Sequence, residues 1–303
     1  MSSVKTILHP YSNSETLAFM DGEFVKALTN GISIHSQSLH YGLAAFEGMR
    51  AYHTDAGIHI FKARQHFDRL RESAKRIFLD LKYSTDELID ISYKLLEKNK
   101  FESAYIRPVV FAGDRMELLP SKDSHLLICA WRWPKYFKAK EVRLTISDYQ
   151  RPNPKSMPIN AKISGQYVTN MLATQAAQNS GYDDAILLDS EGYVAQAAGA
   201  NFFYEKDNQL FTPPKKHIFA GITRQTIIEK AKEMGIKVVE QKIKPEELQD
   251  IDGAFLTGTA VEVKPVKSID EYHVNLPFDE TFGGSLAKRY HLLTRGKIAS
   301  VII

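Results

Sequence analysis

Residues 133–142, WPKYFKAKEV, place a proline, lysines and aromatics between two strand-like runs. No other stretch constrains the fold as much, because the elements on either side must be buried separately. The stretch reads as an interdomain linker. The chain's 303 residues also exceed what one hydrophobic core usually holds. The sequence therefore predicts a small α+β domain over residues 1–134, a linker over 135–143 and a larger domain over 144–303.

The first segment opens with hairpin signals. Asp21-Gly22 sits between FM and EFV, and Thr54 to Gly57 sits between RAY and IHIF. A helix follows with Phe67, Leu70, Ala74 and Ile77 on one face. A second begins at the capping box Ser84-Thr85-Asp86-Glu87 and buries Leu88, Ile91, Leu95 and Leu96. SAYIRPVVF and SHLLICAW return to strand. Beyond the linker come the loop QRPNPKSMPIN, a helix from about Gln166 to Asn179 closed by Gly181, and short strands at 185–188 and 202–204. The turn Ser190-Glu191-Gly192 lies between those strands. Another helix is expected over Thr223 to Met234, with Ile227, Ile228, Ala231 and Met234 inward and Gly235 as its stop. The last strands flank a Gly258-Thr259-Ala260 turn.

Composition narrows the function classes. At 44% hydrophobic and 25% charged, the chain is an ordinary globular protein. Its 39 basic and 36 acidic residues leave +3 with no run suited to a nucleic-acid backbone, so nucleic acid is not an expected partner. The single cysteine, Cys129, excludes an intrachain disulfide and a Cys-rich zinc site, and it reads as a buried strand residue; no metal is expected. The opening MSSVKTILHPYSNS lacks a leader's apolar core, and no segment has membrane-spanning length. A cytoplasmic location away from membranes is the expectation.

Three local features carry chemistry. Ala220-Gly221-Ile222-Thr223-Arg224 is a glycine turn feeding a helix, where free N–H groups form a phosphate cup; an ordinary threonine cap gives the same pattern. Lys162 lies between a proline-containing loop and a helix. Sequence alone leaves it open between a solvated lysine and a Schiff-base former. Tyr41, Arg50, Arg64, Tyr105, Arg107 and Tyr136 are forks and hydroxyls in apolar frames, suited to a carboxylate substrate or to structural pairing. Neither a dinucleotide glycine fingerprint nor a Walker lysine is present.

In order and spacing, eight segments resemble the fold-type IV pyridoxal-phosphate enzymes, above all the branched-chain-amino-acid aminotransferases. They are LHYGLAAFEGMRAY (39–52), FKARQHFDRL (61–70), SAYIRPVVFAGD (103–114), NAKISGQYVTNMLA (160–173), GYVAQAAGANFF (192–203), LFTPP (210–214), AGITRQTIIEKAKEMGI (220–236) and FLTGTAVEVKPV (255–266). The resemblance spans nearly the whole chain. It implies a two-domain D-amino-acid-aminotransferase-like fold and pyridoxal 5'-phosphate as cofactor. The reaction implied is transamination of leucine, isoleucine and valine with 2-oxoglutarate.

Residue by residue, the resemblance makes Lys162 the catalytic lysine that carries the cofactor and moves the proton. Arg64, the N–H groups of Ile222 and Thr223 after Gly221, and Thr259 match phosphate-binding positions. Tyr167 matches the ring-hydroxyl partner, while Gly199 and Gly258 fall within cofactor-binding segments. Gly258-Thr259-Ala260, with Tyr105 nearby, resembles the turn that receives the substrate carboxylate. Phe46, Tyr41 and Tyr136 would line the apolar pocket, and Arg107 would meet the distal carboxylate of glutamate. The resemblance also implies a homodimer or a higher homo-oligomer built of dimers.

The chain departs from the family's pattern in two places. Gln196 stands where a glutamate normally faces the pyridine nitrogen, and RMELLPSKDS after Asp114 replaces a longer glycine-rich loop. Two other readings stay open beside transamination. One is a relative with different chemistry, an aminodeoxychorismate lyase or a D-amino-acid or amine transaminase. The other is a chain that binds the cofactor without turnover.

Overall fold

The computed structural model describes residues 11–133 and 136–298. The opening stretch read for a leader falls partly, and the Pro134 boundary wholly, outside the described residues. The chain separates into two compact units, one of Met1–His53 with Gly57–Pro134, the other of Thr54–Ala56 with Lys135–Ile303.

The first unit is α+β. Its elements are β1 (Leu17–Met20), β2 (Glu23–Lys26), α1 (Gln37–Tyr41), β3 (Ala44–Phe46), β4 (Met49–Thr54), β5 (Gly57–Ile60), α2 (Ala63–Lys75), α3 (Thr85–Lys98), β6 (Ala104–Ala112) and β7 (Ser124–Trp131). They form a sheet in the order β2-β1-β7-β6-β4-β5, with β3 also on β6. Asp21 and Gly22 both take positive φ, which turns β1 into β2 with the handed twist a tight hairpin needs. The predicted capping box is present, since Glu87 N–H donates to Ser84 Oγ while the Glu87 carboxylate accepts from the Ser84 N–H. Phe67, Leu70 and Ala74 of α2 are fully buried. Cys129 is only half-buried, a correction to the sequence reading, because it alternates with the inward Ile128 and Ala130 on β7.

The second unit contains β8 (Val142–Ile146), α4 (Tyr167–Asn179), β9 (Asp184–Leu188), β10 (Val194–Ala197), β11 (Asn201–Lys206), β12 (Gln209–Thr212), α5 (Ile222–Glu233), β13 (Val238–Glu240), β14 (Gly253–Gly258), β15 (Glu262–Ile269), β16 (Tyr272–His273) and α6 (Phe282–Thr294). Its sheet runs β10-β9-β8-β15-β14-β11-β12-β13, with β16 on β15. A further β10–β11 pairing joins the path to itself, so β10, β9, β8, β15, β14 and β11 form a closed ring. Val142, Leu144, Ile186, Val194, Phe202, Leu256 and Val266 from those strands pack into one core.

Two connections link parallel strands, and each carries a helix. β8 pairs parallel with β9 across α4, and β12 pairs parallel with β13 across α5. Both crossovers place backbone and side chains at a helix start, where polar groups are available for a ligand. Met234 is exposed, contrary to its predicted inward place, because α5 ends at Glu233 and Met234 is its C-cap. Buried instead are Thr223, Arg224, Thr226 and Lys230 beside Ile227 and Ala231.

Candidate active site

Lys162 occupies the β8–α4 crossover, a few residues before the helix. Pro158 accepts the Ala161 N–H at 2.9 Å, so the chain turns tightly into the lysine. The residues 164–166 then make one 3₁₀ turn before α4 starts at Tyr167. That turn brings the Tyr167 hydroxyl to accept a hydrogen bond from Lys162 Nζ. The ammonium lies 4.8 Å from the centre of the Tyr167 ring and 5.0 Å from that of Phe219. Arg151, Gln166, Asn170 and Gln196 share the cavity with them.

Arg151 was not singled out from the sequence. It is buried, its guanidinium donates to the Ile159 carbonyl at 3.1 Å, and its Nε has no hydrogen-bond partner among the described residues. Burial pushes its pKa down to about 10, against the favourable pull of Tyr167, so it remains a cation at neutral pH. Asn170 fastens α4 by donating to the Ala198 carbonyl.

The start of α5 is assembled by two amides on neighbouring strands. Gln196 and Asn201 are directly opposed in the β10–β11 pair. The Gln196 side-chain oxygen accepts the Phe219 N–H at 2.8 Å. Asn201 donates to the Phe219 carbonyl at 2.8 Å and accepts the Gly221 N–H at 3.0 Å. A Cβ at Gly221 would meet Asn201 Oδ1 at 2.4 Å, so the close approach requires glycine. Gly221 is the N-cap, α5 begins at Ile222, and no side chain among the described residues caps it. Thr223 is therefore not the helix cap. The Ile222 and Thr223 N–H groups belong to a first turn that lacks intrahelical acceptors, which favours an anion there.

Gly258 ends β14, and Thr259 and Ala260 turn the chain towards β15, all three partly exposed. Gly258 and Gly199 are neighbours, since a Cβ on Gly258 would lie 3.4 Å from the Gly199 carbonyl oxygen. Tyr136 is 45% exposed, with its hydroxyl 3.5 Å from where a Gly199 Cβ would stand.

In the first unit, Phe46, Tyr105 and Arg107 come together. Arg107 lies 4.7 Å from the Phe46 ring centre, 5.3 Å from that of Tyr105 and 5.7 Å from that of Trp131. It approaches the Tyr105 hydroxyl at 3.4 Å, and its Nε is buried without a hydrogen-bond partner among the described residues. Gly48 makes room for Tyr105, whose hydroxyl would stand 1.8 Å from a Gly48 Cβ. Tyr41 is exposed and donates to the Met116 carbonyl at 2.9 Å. The glycine-free loop is fastened by Gln37, which donates to the Glu117 and Leu119 carbonyls at 2.7 and 2.8 Å and accepts the Ser121 N–H at 2.8 Å.

Arg64 lies in the first unit, in the first turn of α2. It is exposed and ion-paired with Asp86 at the start of α3, so the packing of α2 beside α3 turns it to the surface. Arg69, on the same helix, is instead built into a buried cluster. Its Nε and Nη2 donate to the two oxygens of Glu47 at 2.6 and 2.8 Å, while His66 lies 2.8 Å from that carboxylate. Burial raises the Glu47 pKa, but the charge of Arg69 and the bond and charge of His66 outweigh it. They hold the carboxyl far below its ordinary range. An acid between Phe46 and Gly48 in a strand run was the signal for this cluster. Among the described residues no helix is long and apolar enough to cross a membrane, and no His, Cys, Asp or Glu group could hold a metal ion.

The sequence matches the amino-transferase class IV family over residues 44–269. The chain belongs to that family. Among relatives of this class IV amino-transferase, a branched-chain-amino-acid aminotransferase of Pseudomonas aeruginosa is 37% identical over 292 residues, covering 94% of this chain and 95% of the relative. The solved structure of the Escherichia coli branched-chain amino acid aminotransferase superimposes with a TM-score of 0.88 at 33% identity, covering 95% of this chain and 97% of that one. The branched-chain aminotransferase of the thermophilic archaeon Thermoproteus uzoniensis, solved with norvaline, gives 0.88 at 34% identity, over 93% and 95% of the two chains.

Proposed function

We propose that this class IV amino-transferase binds pyridoxal 5'-phosphate at Lys162 and exchanges amino groups between branched-chain L-amino acids and 2-oxoglutarate, giving branched 2-oxo acids and L-glutamate. The observation that carries the reading is Lys162 hydrogen-bonded to Tyr167, in the same unit as an uncapped helix start. The residues fit the cofactor. A nucleophilic amine, a phenol and uncapped helix-start N–H groups match its aldehyde, ring hydroxyl and phosphate. The glycine at 221 keeps that helix start open.

When bound, the cofactor supplies the electron sink that lets an amino acid lose its Cα proton. The chain supplies the rest. Lys162 holds the cofactor covalently and then carries the proton, and Tyr167 orients it through their hydrogen bond. The Ile222 and Thr223 N–H groups anchor the phosphate, helped by Thr259. The Gly258-Thr259-Ala260 turn receives the substrate α-carboxylate, and Phe46 with Tyr105 offers an apolar face to an aliphatic side chain. Arg107 above those rings meets the distal carboxylate of glutamate. A homodimer completes the proposal, supported by the exposed Val168, Met171 and Leu172 on α4.

The test is a coupled assay for glutamate formed from 2-oxoglutarate. Leucine, isoleucine and valine should each support it, well above D-alanine or a simple amine. No glutamate from any of the three would overturn the reading.

A further inference from the structure

Among the described residues, the cavity at Lys162 is lined by no carboxylate. Its polar lining is Arg151, Lys162, Gln166, Tyr167, Asn170 and Gln196, so the ionisable groups are two cations and a phenol. A pyridinium nitrogen needs a negative partner to keep its proton near neutral pH, and nearby cations work against it. The amides decide what is offered instead. Gln166 gives its N–H₂ to the Pro158 carbonyl at 3.2 Å, and Asn170 gives its own to Ala198.

Gln196 is differently placed. Its oxygen must be the atom facing the Phe219 N–H, because a flipped amide would set donor against donor. Its N–H₂ carries two hydrogens and, among the described residues, makes one long contact, 3.4 Å to the Ala197 carbonyl. The cavity is thus offered an amide donor whose orientation is fixed by the backbone at the α5 entrance.

We propose that Gln196 donates a hydrogen bond to the ring nitrogen of the cofactor and that this nitrogen is unprotonated in the resting holoenzyme. The inference rests on the cofactor reading above and deepens it. No proton moves in this contact; the amide keeps its hydrogens and the nitrogen offers its lone pair. Gln196 thereby joins two tasks, holding the loop that leads to the phosphate-binding helix start and setting the charge of the ring.

Holoenzyme loaded with cofactor isotopically labelled at the ring nitrogen tests this by nitrogen NMR, and borohydride labelling of the same sample shows where the cofactor sits. The expected result is attachment at Lys162 with a shift in the neutral-pyridine range that does not move as the pH is lowered modestly. Gln196→Glu, which keeps an acceptor for the Phe219 N–H, should carry the signal to the pyridinium range. Attachment at Lys162 with a pyridinium shift in the natural protein would overturn the inference while leaving the function standing. A neutral signal in a loaded Gln196→Glu protein would remove Gln196 from the ring nitrogen. Attachment at another lysine would overturn both readings together. If Gln196→Glu does not load, the natural protein's signal decides: neutral supports the inference and pyridinium overturns it.

Discussion

Arg107 is surrounded by rings that hold a guanidinium without neutralising it. Replacing it by alanine should raise KM for glutamate and 2-oxoglutarate roughly 30-fold, about 2 kcal/mol for a charge-assisted bond, and change leucine by less than about threefold. Steady-state kinetics with both substrates checks this, and equal losses would make Arg107 structural or a partner of the α-carboxylate. At this scale the sequence was legible where a residue's neighbours are local. Lys162 and Tyr167 lie five positions apart around one turn, and the structure brings them into a hydrogen bond. Arg151 and Asn201 were invisible because their burial depends on contacts distant in the chain, and Glu47 showed only as an acid within a strand run. Arg64 and Arg69 share one helix, and only the tertiary partners Asp86 and Glu47 separate a surface arginine from an anchored one.

The entrance to α5 is the element most exposed to small changes. Gly221→Ala forces a methyl against Asn201 Oδ1. Overpacking of about 1–3 kcal/mol confined to that loop should weaken cofactor binding roughly tenfold or more, with a smaller effect on the thermal midpoint of the cofactor-free protein. Titration of that protein with cofactor, alongside its melting curve, reads both; unchanged affinity with lower stability would contradict it. The α4–β9 junction offers a pH test. Burial raises Asp184 from an ordinary 3.8 to about 6, although the Ala185 N–H and the Thr174 hydroxyl favour its charge. With the folded value raised, its contribution is fully present below about pH 4 and is lost as pH rises through about 6. Asp184→Asn should remove that fall, roughly 2–3 kcal/mol, in denaturant titrations across this range. A pH dependence identical to the natural protein's would contradict it. The Asp21-Gly22 hairpin and the Ser84 capping box were readable because turn and cap chemistry is local. Met234 and Cys129 were misplaced where a helix end and strand alternation decided exposure.

At the scale of the whole molecule, parallel pairing makes the chemistry possible. β8 and β9 need a crossover to run side by side, as do β12 and β13, and the crossovers supply Lys162 and the α5 entrance. Hydrophobic patterning announced strands and helices but not the β10–β11 pairing that closes the ring, since period-two alternation does not name a partner. That pairing sets Gln196 opposite Asn201, so both amides reach one loop. The central claim is that Lys162 carries the cofactor covalently. Borohydride reduction of the purified yellow protein, proteolysis and mass spectrometry test it most directly. The label is predicted on the peptide containing Ala161-Lys162-Ile163, and Lys162→Ala should lose both the label and nearly all transamination. A label on any other lysine would contradict the account.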